Sequence, residues 1–267
     1  PLSAPRPPES PENRDFFRNG AAVRLGPFFA IPLVQATLGF DDNVFSQNRP
    51  RRADGVIRIG PAIIAQTTWS RHMIQAEAAV EGVKYASFNR LDTVNARAGV
   101  IGRLDIRGES HLQFTGSYQR TNDLPTDQGF TSGVFGVPLA QLAPTHTERS
   151  SSGLLLPLRE GRFESQSRIE WQRTSSQPQV GSSVGASAFD AYTLTQRLGY
   201  RIGEGRTAYV EASGNQRRSD VAFGDSQGFR VLTGFSGELT RLLNGELAVG
   251  VLRQTYDGGR AQTTLAF

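Results

Sequence analysis

Arginine supplies nearly all the positive charge of this chain; Lys84 is the single lysine. A guanidinium stays ionised and presents a planar fork of donors, which suits it to carboxylates and phosphates. Arg58, Arg97, Arg103, Arg168, Arg197, Arg201 and Arg230 all occupy polar positions in segments where polar and apolar residues alternate. Glu77, Glu164, Glu170, Glu211 and Glu238 occupy equivalent positions. Alternation places such residues together on one face of a strand. The chemistry expected of that face is a hydrated wall that attracts anions and acidic sugars, with the glutamates setting up a transverse field. The plainer alternative is that these charges are solvated or pair with one another. If they line an ion path, exchanging Arg97 and Arg197 for glutamate is expected to shift selectivity toward cations.

Other chemistry finds less support in the residues. Cysteine is absent, which removes thiolate catalysis, cysteine-bound zinc and disulfides. Asp41, Asp42 and Asn43 offer the hard oxygens that calcium prefers, but without EF-hand spacing. They read better as a strand-to-loop corner held by Asx side chains. His72, His111 and His146 are far apart in sequence, and no shared metal is expected. His146 with Asp123 or Asp127 is the one pairing that resembles part of a hydrolytic constellation, and it lacks a fixed nucleophile. Gly203-Glu204-Gly205 and Gly258-Gly259 read as turns, because no helix follows to bind a phosphate. No cofactor is expected. The net charge of +4 and pI of about 9.8 come from dispersed arginines. A nucleic-acid binder concentrates its basic residues in a patch or tail, so nucleic acid is not an expected partner.

The elements that must carry these residues are strands. In the segment 192–202, Tyr192, Leu194, Leu198, Tyr200 and Ile202 fall on one side, while Thr193, Thr195, Arg197, Gly199 and Arg201 fall on the other. Similar runs recur to the C-terminus, joined by tight polar turns. The hydrophobic content is 37% and the mean hydropathy −0.36. No run approaches the roughly 20 apolar residues that a spanning helix needs. A spanning strand needs an apolar residue only at every second position.

About twelve strands are expected, near 30–43, 55–69, 71–86, 93–106, 111–121, 147–158, 162–175, 190–202, 207–218, 228–242, 246–257 and 261–267. Short turns are expected at Trp69-Ser70-Arg71, Arg107-Gly108-Glu109, Arg159-Glu160-Gly161, Gly203-Glu204-Gly205 and Asn244-Gly245, the last as a type I′ hairpin. Long connections alternate with them at 46–54, 122–144, 177–188 and 219–227. This asymmetry is that of an antiparallel up-and-down outer-membrane β-barrel, with tight periplasmic turns and long outer loops. Trp69, Tyr118, Trp171, Tyr192 and Tyr200 are the expected aromatic girdle. Residues 122–144 carry Phe130, Val134 and Phe135 and are a candidate constriction.

Residues 1–20 are Pro-rich and charged, and are expected to be a disordered periplasmic segment ahead of a barrel at 21–267. They lack a leader's apolar core, so the exported chain is expected to be processed or excerpted. At the other end, Leu265-Ala266-Phe267 reads equally as a barrel-assembly signal or as the start of a longer strand in a truncated larger barrel.

Several short segments carry a resemblance to a known family. They are Val23-Arg24-Leu25-Gly26-Pro27-Phe28, Phe40-Asp41-Asp42-Asn43-Val44-Phe45, Ile59-Gly60-Pro61, Trp69-Ser70-Arg71-His72, Gly102-Arg103-Leu104-Asp105-Ile106 and Gly250-Val251-Leu252-Arg253-Gln254-Thr255-Tyr256-Asp257. In their order and spacing they resemble the outer-membrane β-barrel porin 2 family, linked to exopolysaccharide export in Gram-negative bacteria. Phe40 replaces the tyrosine usual before Asp-Asp-Asn, and members of that family usually continue with further strands.

The resemblance implies a pore for exopolysaccharide or other anionic solutes, with outer-membrane lipid and the barrel-assembly machinery as partners. The alternative is a structural or adhesive barrel with a blocked lumen, acting through its outer loops. A barrel-embedded hydrolase is the least supported.

Overall fold

The computed structural model describes residues 22–45, 51–107, 110–123, 145–177, 186–222, 224–240, 243–259 and 261–266. The expected 1–20 segment, the Phe130-containing loop and Phe267 lie outside the described residues. The strands are β1 (Val23–Leu25), β2 (Phe28–Asp41), β3 (Asp54–Thr67), β4 (Met73–Tyr85), β5 (Thr93–Arg107), β6 (Ser110–Asp123) and β7 (Thr145–Glu160). They continue as β8 (Phe163–Gln177), β9 (Ser187–Gly203), β10 (Arg206–Ser219), β11 (Ser226–Thr240), β12 (Leu243–Tyr256) and β13 (Ala261–Ala266). A 3-10 turn, Asn89–Leu91, is the sole helical element among the described residues.

Every strand pairs antiparallel with its chain neighbour, giving one up-and-down sheet from β1 to β13. No ladder joins β13 to β1 or β2 among the described residues.

Directly paired residues project to the same face, so the register carries the sequence alternation across the whole sheet. Ile169 on β8 pairs with Leu154 on β7, Leu154 with Phe114 on β6, Phe114 with Gly102 on β5, and Gly102 with Ile74 on β4. The Phe114 ring lies where a Cβ on Gly102 would sit. The ring thus covers a backbone that glycine leaves bare.

Among the described residues nothing covers this face: Leu194, Leu198, Val210 and Leu247 are 56%, 58%, 51% and 73% exposed. A soluble monomer does not leave an apolar surface of this extent in water. One of its polar interruptions is satisfied locally. Gln196, on the apolar face, accepts a hydrogen bond from Ser167 Oγ (2.5 Å) and donates to Ser165 Oγ (3.0 Å) and to the Arg197 carbonyl (3.3 Å).

Three local readings need correction. Val23–Leu25 forms an additional short strand that turns at Gly26 (φ 62°) into β2. Three residues are too few to show a period, so the alternation is silent there. Asn244 and Gly245 are not a turn. They lie within β12, paired with Glu238 and Gly237. Gly245 is not among the glycines with positive φ, because the ladder runs past it and gains cross-strand hydrogen bonds. Trp69 lies in the connection after β3, not on a strand. The turns at Gly161 (φ 58°) and Gly205 (φ 64°) stand where expected.

Candidate functional site

The polar face gathers most of the sequence candidates, and from β7 to β12 most of its arginines are paired with carboxylates. Nearest the short turns, Glu164 lies between Arg159 Nη2 (3.2 Å) and Arg201 Nη2 (3.0 Å). Farther along, Arg197 Nη1 lies 3.1 Å from Glu246 and 3.8 Å from Glu211, and Arg230 Nη2 reaches Glu211 at 2.8 Å. Arg197 also stacks 3.5 Å above the Tyr209 ring centroid, and the Tyr209 hydroxyl donates to Glu246. Tyr209 in turn covers Gly234, its cross-strand partner. Arg168 and Glu170 are 3.9 Å apart and well exposed. Glu238 is exposed near the Gly205 turn, to which its backbone N–H is bonded.

Sequence reading placed Arg197, Arg201, Arg230, Glu164 and Glu211 on the polar face, but not Arg159 or Glu246, and it paired none of them. Cross-strand pairing depends on register, and residues so far apart in the chain give no local signal of it.

Removing Arg197 takes the cation from two carboxylates and uncovers Tyr209. Fully buried pairs lose about 3–5 kcal/mol on such truncation, and exposed pairs about 0–1. On this partly hydrated wall Arg197→Ala is expected to cost about 1–3 kcal/mol. The check is denaturant unfolding from vesicles, with a double-mutant cycle against Glu246→Ala. A coupling near zero would contradict the geometry.

From β2 to β6 the pattern differs. Arg103 Nε pairs with Asp105 at 2.7 Å. Arg58 and Arg97 are exposed on the polar face, opposite Val83 and Gln119 respectively. Neither has an ion-pair partner among the described residues. Arg58 lines a cavity of about 440 Å³ with Thr37, Gly39, Asp41, Asp42 and Val56.

The loop end of β3 and β4 carries an apolar cap that no sequence signal announced. Val44 and Phe45, in the connection after β2, are buried against Val83, Tyr85 and Leu91, with Val56 and Phe88 packed around them. Val56, Val83 and Tyr85 share the polar face with Arg58. The connection therefore folds back over the wall rather than away from it. Phe45 and Phe88 meet edge to face at 5.0 Å, and the Val44 N–H donates to the Arg52 carbonyl.

Asp54 anchors this cap. Its carboxylate accepts hydrogen bonds from the backbone N–H groups of Ser87 (2.9 Å), Phe88 (3.1 Å) and Gly55 (2.9 Å), and Asp92 accepts one from the Tyr85 N–H. Burial alone would raise the Asp54 pKa, but these donors hold it below the ordinary 3.8. The sign follows from the lowered value: the carboxylate's contribution is complete above 3.8 and is lost only as pH falls through its own lower pKa. The Ser87 and Phe88 amide resonances are expected to stay constant through mild acid and to move together below 3.8. In Asp54→Asn that titration should vanish. NMR across a pH series reads both.

The apolar face ends in aromatics whose polar tips reach the next rung of charge. Trp171 Nε1 donates to Asp190 (3.0 Å), which also holds Arg173 (2.9 Å), and the Tyr118 hydroxyl donates to Glu148 (3.3 Å). Tyr192 pairs with Trp171 at this loop end. Tyr200, stacked edge-on against Phe163 at 5.1 Å, sits at the turn end, with Trp69 in a short connection at that same end. From Phe163 to Trp171 is about 26 Å along the strand, or about 20 Å across a membrane at the usual barrel tilt. This is near the height of an outer-membrane apolar band.

Remaining candidates fall outside this frame. Asp41 Oδ1 accepts the Asn43 N–H at 2.9 Å, an Asx turn. His146 pairs with Asn122 at the loop end of β7, and Asp127 lies outside the described residues. His72 and His111 both meet β5 at Asp105: His111 is its cross-strand partner, and His72 Nδ1 accepts the Asp105 N–H. No group of three metal-ligating side chains is found among the described residues.

A meander with one face of exposed apolar side chains and an Arg- and Glu-lined opposite face defines the class of outer-membrane β-barrels. The family described as Putative beta-barrel porin 2 matches residues 19–267, and the chain belongs to it. Among curated proteins none matches. A solved structure, the β domain of the Bordetella autotransporter BrkA, is similar at 14% identity over 90% of this chain and 95% of that one, with a TM-score of 0.37.

Proposed function

We propose that this chain is a passive outer-membrane conduit that admits anionic solutes along its polar face, with an acidic exopolysaccharide as the specific cargo. The observation that carries the reading is the two-sidedness of the sheet: apolar side chains uncovered on one face, guanidinium and carboxylate groups on the other. The export role draws on the sequence resemblance, since a fold alone does not dictate cargo. Lipid against the apolar face and the machinery that inserts such sheets are the partners this reading requires. It assigns the chain no reaction.

Purified protein in planar bilayers is expected to conduct. Absence of channels, even after deletion of residues 124–144, would sink the conduit.

A second reading, a structural or adhesive barrel with a closed lumen, draws on the apolar cap and on the mutual pairing of the Arg197 group. It predicts a bilayer silent to ions and binding activity that follows the outer loops.

A further inference from the structure

The charged wall is not uniform. Where Arg159, Arg197, Arg201 and Arg230 face carboxylates, their charge is spent within the protein. One row nearer the loop end is built differently. Arg97 on β5 pairs with Gln119 on β6, Gln119 with Arg149 on β7, Arg149 with Thr174 on β8, and Thr174 with Phe189 on β9. The row is continuous across five strands and lies on the polar face. Arg217 of β10 closes it by laying its guanidinium 4.1 Å from the Phe189 ring centroid.

Arg97, Gln119 and Arg149 are exposed, and neither arginine has an ion-pair partner among the described residues. Glu77 and Glu81, on the same face of β4, pair with Gly99 and Asn95, one row to either side of Arg97. They flank Arg97 without forming a salt bridge to it.

Resting on the conduit reading, we infer that this row is the site that selects and binds an acidic saccharide. Arg97 and Arg149 stand two strands apart, about 10 Å. That spacing suits a linear chain carrying carboxylates at regular intervals, each taken by a guanidinium fork. The other residues of the row are neutral: the Gln119 amide and the Thr174 hydroxyl hydrogen-bond sugar hydroxyls, and Phe189 offers an apolar ring. A polyphosphate or nucleic acid needs charge at every step, and the neutral positions do not provide it. The paired arginines nearer the short turns support the wall and leave selectivity to this row.

Two measurements test this. In planar bilayers under a KCl gradient, Arg97→Gln with Arg149→Gln is expected to shift the reversal potential toward cation selectivity and to weaken block by oligogalacturonate at least tenfold. Arg162→Gln, in a short turn, removes a comparable charge and should change neither. Titration calorimetry in detergent, on protein whose folding is verified by heat-modifiable gel mobility, reads the same site without requiring conduction. There, oligogalacturonate is expected to bind the wild type at least tenfold tighter than the double variant. Channels with unchanged selectivity, or equal binding by both proteins, would overturn the assignment while leaving the conduit standing. Equal binding of polyphosphate and oligogalacturonate would overturn the saccharide class. A protein that never conducts yet binds oligogalacturonate through this row would sink the conduit and keep the site.

Discussion

Phe45→Ala is expected to release the cap from the mouth of the barrel and to raise single-channel conductance. Truncating a buried phenylalanine typically costs about 3–5 kcal/mol. Among the described residues, one small cluster and a few hydrogen bonds hold Val44 and Phe45 in place. Elements held this way open locally at a cost well below that of global unfolding. Losing a few kcal/mol from such a segment changes its open population by about two to three powers of ten, so the cap passes from mostly closed to mostly open. The strands below it lose nothing, and folding as a whole should survive. Phe88→Ala removes the other half of the edge-to-face pair and should act in the same direction. Single-channel recording reads the effect, and solvent exchange at Val44 reports whether the segment has let go. A freed segment with unchanged conductance would mean that the cap stands clear of the path.

The second large effect concerns the apolar face. Val231 lies in the row of Gln196, Ala212 and Val251, midway between the rows of Tyr192 and Tyr200. An arginine on the lipid face of a barrel at the midplane costs about 2–4 kcal/mol, and Val231→Arg is expected to fall in that range. Thr193→Arg, which projects to the opposite face beside Glu170, should change stability by less than about 0.5 kcal/mol. Denaturant unfolding from lipid vesicles measures both, with Trp69 and Trp171 as the fluorescent reporters. Equal costs at the two positions would mean that the faces are wrongly assigned.

What the residues alone disclosed was the part of the structure with a local period. Alternation in the Tyr192–Ile202 run fixes which side chains share a face, and tight turns at Gly161 and Gly205 fix where the chain reverses. Boundaries were legible to within a few residues for that reason. The pairs that define the wall were not. Arg197 meets Glu246, and Arg201 meets Glu164, only once the register is set, and no spacing along the chain encodes that meeting. The cap was missed for a related reason: Val44 and Phe45 form too short an apolar patch to signal burial until Val83, Tyr85 and Leu91 are brought beneath them. Asn244-Gly245 misled in the opposite way, since its turn preference is weaker than the hydrogen bonds gained by extending β12.

The Ser165–Gln196–Ser167 triangle bears on how the protein enters its membrane. An amide taken unbonded into hydrocarbon costs about 4–8 kcal/mol, which a single strand of this composition has little to set against. Among the described residues Gln196 finds its side-chain partners on β8, with one carbonyl on its own strand. β9 is therefore expected to cross together with β8, the two already zipped. The triangle makes the hairpin, rather than the strand, the smallest piece that can be inserted, and so gives the assembly of this barrel an order in time.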